Sequence, residues 1–259
     1  MAMSLTISRF DLSYALSTGN PPQFFMDPIS WSPIFQPQPQ ASINTPHAVS
    51  GPIFENTSNP LQPSSLPTPA PIPNLINDPN LLLIFHDLLQ FASILNTSSP
   101  DPYNYYSPIL KDTEYQHLIC SIQYRLLRLQ DKLTTILDES IRLAMLAFLT
   151  TTFQVARQRA VYPHLERRFR EFCRATNADV PAEVVAWLLI VGGMAVFNID
   201  GEDAEWMVGL WRVRIPVGWD WEEACGRLRG FPWIGVLHDE AGRVVFETLC
   251  RKVKESYEG

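Results

Sequence analysis

The sequence predicts an all-α protein: an irregular multi-helix bundle over residues 80–259, preceded by a disordered Pro/Ser/Gln-rich arm over residues 1–79. Three observations carry that expectation. Apolar residues recur at three- and four-residue steps over most of the chain from residue 80 onward, which is the helical period. Fifteen of the 22 prolines fall in residues 1–80, where they remove backbone donors and restrict their predecessors. Six of the seven tryptophans lie between Trp187 and Trp233, a density that suits a packed interior.

Within the arm, PQPQ at 37–40 and PSSLPTPAPIP at 63–73 have polyproline character and cannot sit in a helix or an inner strand. One patch stands apart: Phe24, Phe25, Ile29, Trp31, Ile34 and Phe35, beside Asp27. It reads either as a docking motif for a partner or as a sticky segment that folds back onto the domain, and the second reading is favoured.

Ordered structure is expected to start at Asp78–Pro79, a capping residue followed by a good first-turn residue. The first helix should span about 80–95, with Leu81, Ile84, Phe85, Leu88 and Phe91 on its apolar face. A loop with three prolines, TSSPDPYNYYSP, follows. Helices are then expected over about 112–130, 137–157 and 163–176. The helix over 181–197, apolar nearly all round, should be the central buried one. Its Gly192–Gly193 pair costs helix propensity and implies a close neighbour or a kink. Further helices are expected over 202–214, from Asp220 to Gly230, and from 239 or 242 to 257. At Asp220 the side chain should cap, and Glu223 should reach back to close a capping box. No strand signal of weight and no fixed-period repeat appears.

Composition narrows the function. The net charge is −7, so strong nonspecific binding of nucleic acid by the whole chain is not expected. Cys120, Cys173, Cys225 and Cys250 are separated by 53, 52 and 25 residues, with no CxxC and no Cys/His spacing suited to a metal. They read as buried, reduced thiols of an intracellular protein. The longest apolar run, residues 184–197, is too short to span a bilayer, so no membrane partner is expected. No export signal is visible at the start of the sequence.

The histidine–carboxylate neighbours His86–Asp87 and His238–Asp239 do not make catalytic dyads, because adjacent residues on a helix point about 100° apart. HExxH, GxSxG and GxxxxGK[ST] are absent. No catalytic, cofactor-binding or metal-ligating residue can be named, no cofactor is expected, and the chain is expected not to be an enzyme. Arg157, Arg159, Arg167, Arg168, Arg170 and Arg174 make the densest positive segment. They read as a solvated helix face partly neutralised by Glu166–Arg170 and Arg167–Glu171 at i,i+4, without aromatics placed to stack bases.

Several strings, in order, are familiar as a set: SIQYRLL at 121–127, SIRLAMLAFLTTTF at 140–153, YPHLERRFREFCR at 162–174, WLLIVGGMAVF at 187–197, EWMVGLW at 205–211 and FPWIGVLHD at 231–239. Together they resemble the fungal-specific transcription factor domain, the C-terminal helical regulatory region of fungal binuclear zinc-cluster regulators. The resemblance covers about residues 80–250. It implies an all-helical regulatory module, nuclear localisation and control of transcription. The six-cysteine zinc cluster of that family has no counterpart in this sequence, so no zinc ligand or base-contacting residue carries over. The chain is then expected to be a regulator that lost that unit, or one whose zinc-cluster exon lies upstream of Met1. It would act through protein partners, such as a full-length related regulator, with no direct DNA contact of its own. The alternative is a helical ligand-binding protein or an enzyme of a metabolic gene cluster, with a pocket among Trp187, Trp206, Trp211 and Trp233.

Overall fold

A computed structural model describes residues 5–23, 31–35, 72–98, 112–152 and 161–258. Among these residues every regular element is helical and no strand occurs. The helices are α1 (Leu5–Thr18), α2 (Pro79–Ser98), α3 (Asp112–Arg128), α4 (Ile136–Thr152), α5 (Pro163–Arg174), α6 (Ala182–Ala195), α7 (Ala204–Arg214), α8 (Trp221–Leu228) and α9 (Gly235–Glu258). A single 3-10 turn, Ile72–Leu75, leads into α2. No helix among the described residues is long and apolar enough to cross a membrane.

The centre is a pair of helices. From Asp138 to Thr150 every residue of α4 is buried, and so is every residue of α6 from Val184 to Gly192. α4 packs on α6 and α5; α6 packs in turn on α7, α8 and α9. The sequence pointed to α6 as the central helix, and α4 shares that position. The Gly192–Gly193 pair has a packing reason. A methyl group on Gly193 would stand 2.7 Å from a Val245 methyl of α9, and one on Gly192 would run into the Phe197 ring. Absence of a side chain lets α9 and Phe197 close onto α6.

Helix boundaries follow local chemistry. Asp78 accepts from the backbone N–H of Asn80 and of Leu81, so it caps α2 as expected. Asp220 caps α8 by accepting from the Glu223 N–H at 2.8 Å. The reciprocal half of the capping box is not made, because Glu223 spends its carboxylate on Arg227 at 2.8 Å. α9 begins at Gly235, earlier than the apolar period suggested. Asn96 on α2 fixes that start, accepting from the Gly235 N–H at 2.8 Å and donating to the Trp233 carbonyl. The expected extension of α4 to Arg157, with Val155, lies outside the described residues, as does most of the proline-containing loop after α2.

The reading of residues 1–79 as one arm without structure needs correcting. α1 lies inside that stretch and packs on α3 and α5, burying Leu12, Ala15 and Leu16. Ser8, Asp11, Leu12 and Ala15 follow one another at helical steps, but two of the four are polar, which hid the face. Burial of Asp11 is tolerable because Tyr124 Oη donates to it at 2.9 Å and the Gln23 N–H donates at 2.7 Å. Ile34 and Phe35 also fold back onto the core. Their N–H groups donate to Asp87, whose carboxylate pairs with Arg125 at 3.0 Å, and Arg125 in turn donates to the Ser32 carbonyl. Phe24, Phe25, Asp27, Ile29 and both proline-rich strings up to Pro71 lie outside the described residues.

His238 is enclosed by the core, 1% exposed, against the rings of Phe148 and Trp233. Its Nδ1 accepts from the Ile234 N–H at 3.0 Å and its Nε2 lies 2.8 Å from Thr151 Oγ1. The Thr151 hydroxyl donates to the Phe148 carbonyl, so Nε2 carries the proton and the ring is neutral. Burial pushes the imidazole down to about 3. The unfolded chain protonates this ring near its ordinary 6.5 while the folded chain does not. Stability is therefore lost as pH falls below 6.5, by about 1.4 kcal/mol per unit down toward 3. The midpoint of guanidinium unfolding, measured from pH 7 to pH 4.5, should fall more steeply for the natural chain than for His238→Gln. Equal slopes would show that His238 is not held neutral.

Candidate functional site: an aromatic groove and two buried charge centres

α7 ends at Arg214; Ile215 caps it with extended backbone, Pro216 follows, and the chain turns through Gly218 at φ +110°. A side chain at 218 would be strained there, so this turn requires glycine. Arg214 secures the corner from below by donating to the carbonyls of Asn177, at 2.7 Å, and Val180. Asp220 then starts α8. The turn and the C-terminal half of α9 enclose an open groove of about 730 Å³.

Its floor is apolar. Trp211, Ile215 and Phe246 are buried there, with Trp211 edge-on to Phe246 at 5.5 Å and Trp221 against the same ring at 5.7 Å. Cys250 completes the floor; burial raises its thiol above the ordinary value, partly opposed by the Trp211 indole N–H. The rim is open to solvent. Val217 is 99% exposed and Tyr257 is 68% exposed, a placement that costs contact with water and buries nothing in this chain. Trp219 lies under the Arg227 guanidinium at 4.7 Å, and Arg212 stands 6.0 Å from the Tyr257 ring. Acids and bases share the edge: Asp220, Glu247, Arg251 and Lys254. Glu247 accepts from Arg243 and Arg251 donates to Glu255, so much of this charge is internally matched.

The four tryptophans expected to border a pocket do not share one. Trp187 and Trp233 are buried in the core at 0% and 1% exposure, and Trp233 borders a separate cleft with Asn96, Arg229 and Asp239. Trp206 packs edge-on against Phe197 and donates its indole N–H to Asp203 at 2.7 Å. Of the four, Trp211 alone borders the groove. The rings that join it, Trp219, Trp221 and Tyr257, were legible in the string PVGWDWEE and the last turns of α9, but not their convergence.

The basic segment is more deeply engaged than a solvated face. Both predicted i,i+4 pairs form, at 2.7 Å for Glu166–Arg170 and 2.9 Å for Arg167–Glu171. Arg170 goes further. It binds the fully buried Asp203 through Nε at 2.5 Å and Nη2 at 3.1 Å, and Glu202 at 3.1 Å. Burial alone would raise the Asp203 carboxyl, but the hydrogen bonds from Arg170, Trp206 and the Asn198 N–H outweigh it and hold it below its ordinary value. The same contact with Asp203 raises the Arg170 guanidinium. Glu166, Glu202 and Asp203 offer oxygens within 4.8 Å of one another, and Arg170 bonds to all three. This clasp ties α5 to the start of α7.

Arg168, expected on a merely solvated face, is 26% exposed and sits 4.9 Å over the Phe172 ring, with Glu139 and Asp131 each at 3.5 Å. Arg174 lies over Trp206. Aromatics therefore underlie this face, where the sequence showed none. Arg157 and Arg159 lie outside the described residues. Arg168→Ala should cost about 1 kcal/mol, from the loss of its stem packing and of a partly shielded pair. Thermal unfolding checks it; a change within about 0.3 kcal/mol would return Arg168 to ordinary surface behaviour.

The adjacent His–Asp pairs diverge as their spacing demands. His86 is exposed while Asp87 binds Arg125; His238 faces Thr151 while Asp239 accepts from the Trp233 indole N–H at 2.7 Å. The second buried charge centre escaped sequence reading altogether. Glu139 takes a two-pronged contact from Arg142, at 2.7 Å on each oxygen, inside α4. Its local signal is the i,i+3 spacing of Glu139 and Arg142, next to Asp138, at the start of a helix that is apolar from Leu143 to Leu149.

No family model matches this chain, and neither a curated protein nor a solved structure is similar to it.

Proposed function

We propose that this chain is a regulator-like interaction module that acts on transcription in the nucleus through protein–protein contacts, without a zinc-cluster DNA-binding unit of its own. One observation supports it above the others: an aromatic and aliphatic groove that gathers Trp211, Trp219, Trp221, Phe246 and Tyr257, bordered by Val217 and Tyr257 almost in open solvent. Exposed apolar surface of this kind marks a site for another polypeptide or ligand. The groove takes an uncharged apolar segment of protein, and a full-length related regulator is a partner that this reading names. The nuclear setting comes from the ordered strings that resemble the fungal regulators.

The test is a tethered reporter. Fused to an unrelated DNA-binding domain, the chain should change transcription from a promoter carrying that domain's site. Val217→Glu combined with Tyr257→Glu should abolish the change at equal protein level. Both positions are exposed, so the fold should shift by no more than about 0.5 kcal/mol apiece. A reporter indifferent to the natural chain would overturn the proposal.

A second reading has one observation in its favour. The groove volume falls inside the range of about 300–1,000 Å³ typical of small-molecule sites. A helical ligand-binding protein would show saturable binding of a small apolar dye, abolished by the same double substitution, with the reporter silent.

A further inference from the structure

We propose that the cavity between α1, α3, α4 and the start of α5 binds a small monocarboxylate with a compact apolar body. Among the described residues this cavity shares no wall with the aromatic groove.

The cavity follows from how α1 is seated. α1 and α3 run parallel: Asp11 accepts from Tyr124 Oη, and the Gly19 carbonyl accepts from the Gln130 side chain at 3.0 Å. α1 also packs on α5, and α5 on α4. Where these helices meet, their side chains leave a hollow of about 190 Å³. That is room for about six waters, or for one small molecule of similar bulk. α1 offers it a single stripe, Arg9, Leu12, Ser13 and Leu16, spaced at three and four residues. Gln123 of α3, Thr150 of α4 and Tyr162 ahead of α5 close the other sides.

The site turns on Gln123. It is 4% exposed, yet its side-chain amide makes no hydrogen bond among the described residues. Native interiors rarely bury an amide without partners. The side-chain polar atoms sealed away without a partner are Asp138 Oδ2 and Trp187 Nε1, and the Gln123 amide is not one of them. What exposure it has is therefore through the cavity that it borders. Two donor hydrogens and a carbonyl oxygen are held there on a packed helix, ready for a polar ligand.

Charge and register choose the ligand. Arg9 brings positive charge to the wall, and no acid borders the cavity among the described residues. Asp11, the nearest acid in sequence, is engaged by Tyr124 and the Gln23 N–H. The register of α1 on α3 puts Gln123 at a level between Arg9 and Ser13, while Leu16 lies about 10 Å beyond Arg9 along α1. Donors thus gather toward one end and aliphatic side chains toward the other. A carboxylate accepts charge-assisted bonds from Arg9 and the Gln123 amide, and its apolar body lies on Leu12 and Leu16.

Benzoate is the probe, with benzamide and benzylamine as its neutral and cationic twins, each titrated into the full chain and followed by ligand-observed NMR. Benzoate should bind saturably, benzamide about tenfold more weakly or worse, and benzylamine not measurably. Bound benzoate should slow hydrogen exchange in α1, because the ligand joins α1 to α3 and α4. Gln123→Leu removes the amide, and Ser13→Leu fills the cavity from the half-buried stripe of α1. Each should weaken benzoate about tenfold or more. Ser13→Leu keeps the test decisive should Gln123→Leu fail to fold. Benzamide or benzylamine binding as well as benzoate would overturn the inference. So would affinity unchanged in a folded variant, protection confined to helices other than α1, α3 and α4, or no saturation at all, which would leave the cavity to water.

Discussion

Trp187→Ala should remove about 3–5 kcal/mol of unfolding free energy, the range for deleting a large buried ring. The indole is wholly enclosed, stacked on Phe231 at 5.0 Å and 17° and edge-on to Phe85 at 6.5 Å. It connects α6 to α2 and to the segment before α9, so the cavity left behind borders three elements and cannot collapse by moving one. Its Nε1 has no hydrogen-bond partner among the described residues. A donor buried without an acceptor costs about 1–3 kcal/mol. The ring is therefore retained for its volume and contacts, against a polar cost. Trp187→Phe should consequently lose much less than Trp187→Ala, because it discards the orphaned donor and keeps most of the stacking. Urea unfolding at neutral pH measures both. A loss below 1 kcal/mol for alanine, or a phenylalanine variant as weak as alanine, would contradict the packing described.

Glu139→Ala should be about as damaging, at roughly 3–5 kcal/mol, the cost of stranding one partner of a buried ion pair. Arg142 is 2% exposed and would keep only the Leu126 carbonyl, at 3.1 Å, as an acceptor. Arg168 would lose its contact with Glu139 as well. Changing both members of the pair, Glu139→Leu with Arg142→Met, should recover more than half of the loss, because neither member is then stranded without the other. The residual cost is the Leu126 carbonyl at the end of α3, which loses its donor. A double-mutant cycle on unfolding free energies decides it. Additive losses would mean that the two side chains are not coupled.

The helical class was legible because the apolar period of α2 to α9 is carried by residues that need only to be inside. Leu81, Ile84, Phe85 and Leu88 face the core as their spacing says. α1 was not legible, since its inward face includes Ser8 and Asp11, whose burial makes sense only once Tyr124, 113 residues away from Asp11, is in place. The same holds for the charges. The pairing of Arg170 with Glu166 is local and was anticipated; its pairing with Asp203 spans 33 residues and was not. The groove is a hybrid. Pro216, Gly218 and Asp220 announce a turn and a cap, and Trp219 and Trp221 are conspicuous beside them. Yet Trp221 and Tyr257 are brought together only by α9 lying along α7 and α8. Periodicity orders residues around one axis and is silent about which axes meet.

Because α1 and the segment ending at Phe35 are seated on α3, α5 and Asp87, a shortened protein starting at Pro79 would be more than a trimmed one. It would bare the greasy seats of Leu12, Ala15, Leu16, Ile34 and Phe35 and strip two partners from a carboxylate evolved for enclosure. Such a fragment should cling to itself and precipitate, so recombinant work on this helical body calls for keeping its leading residues attached.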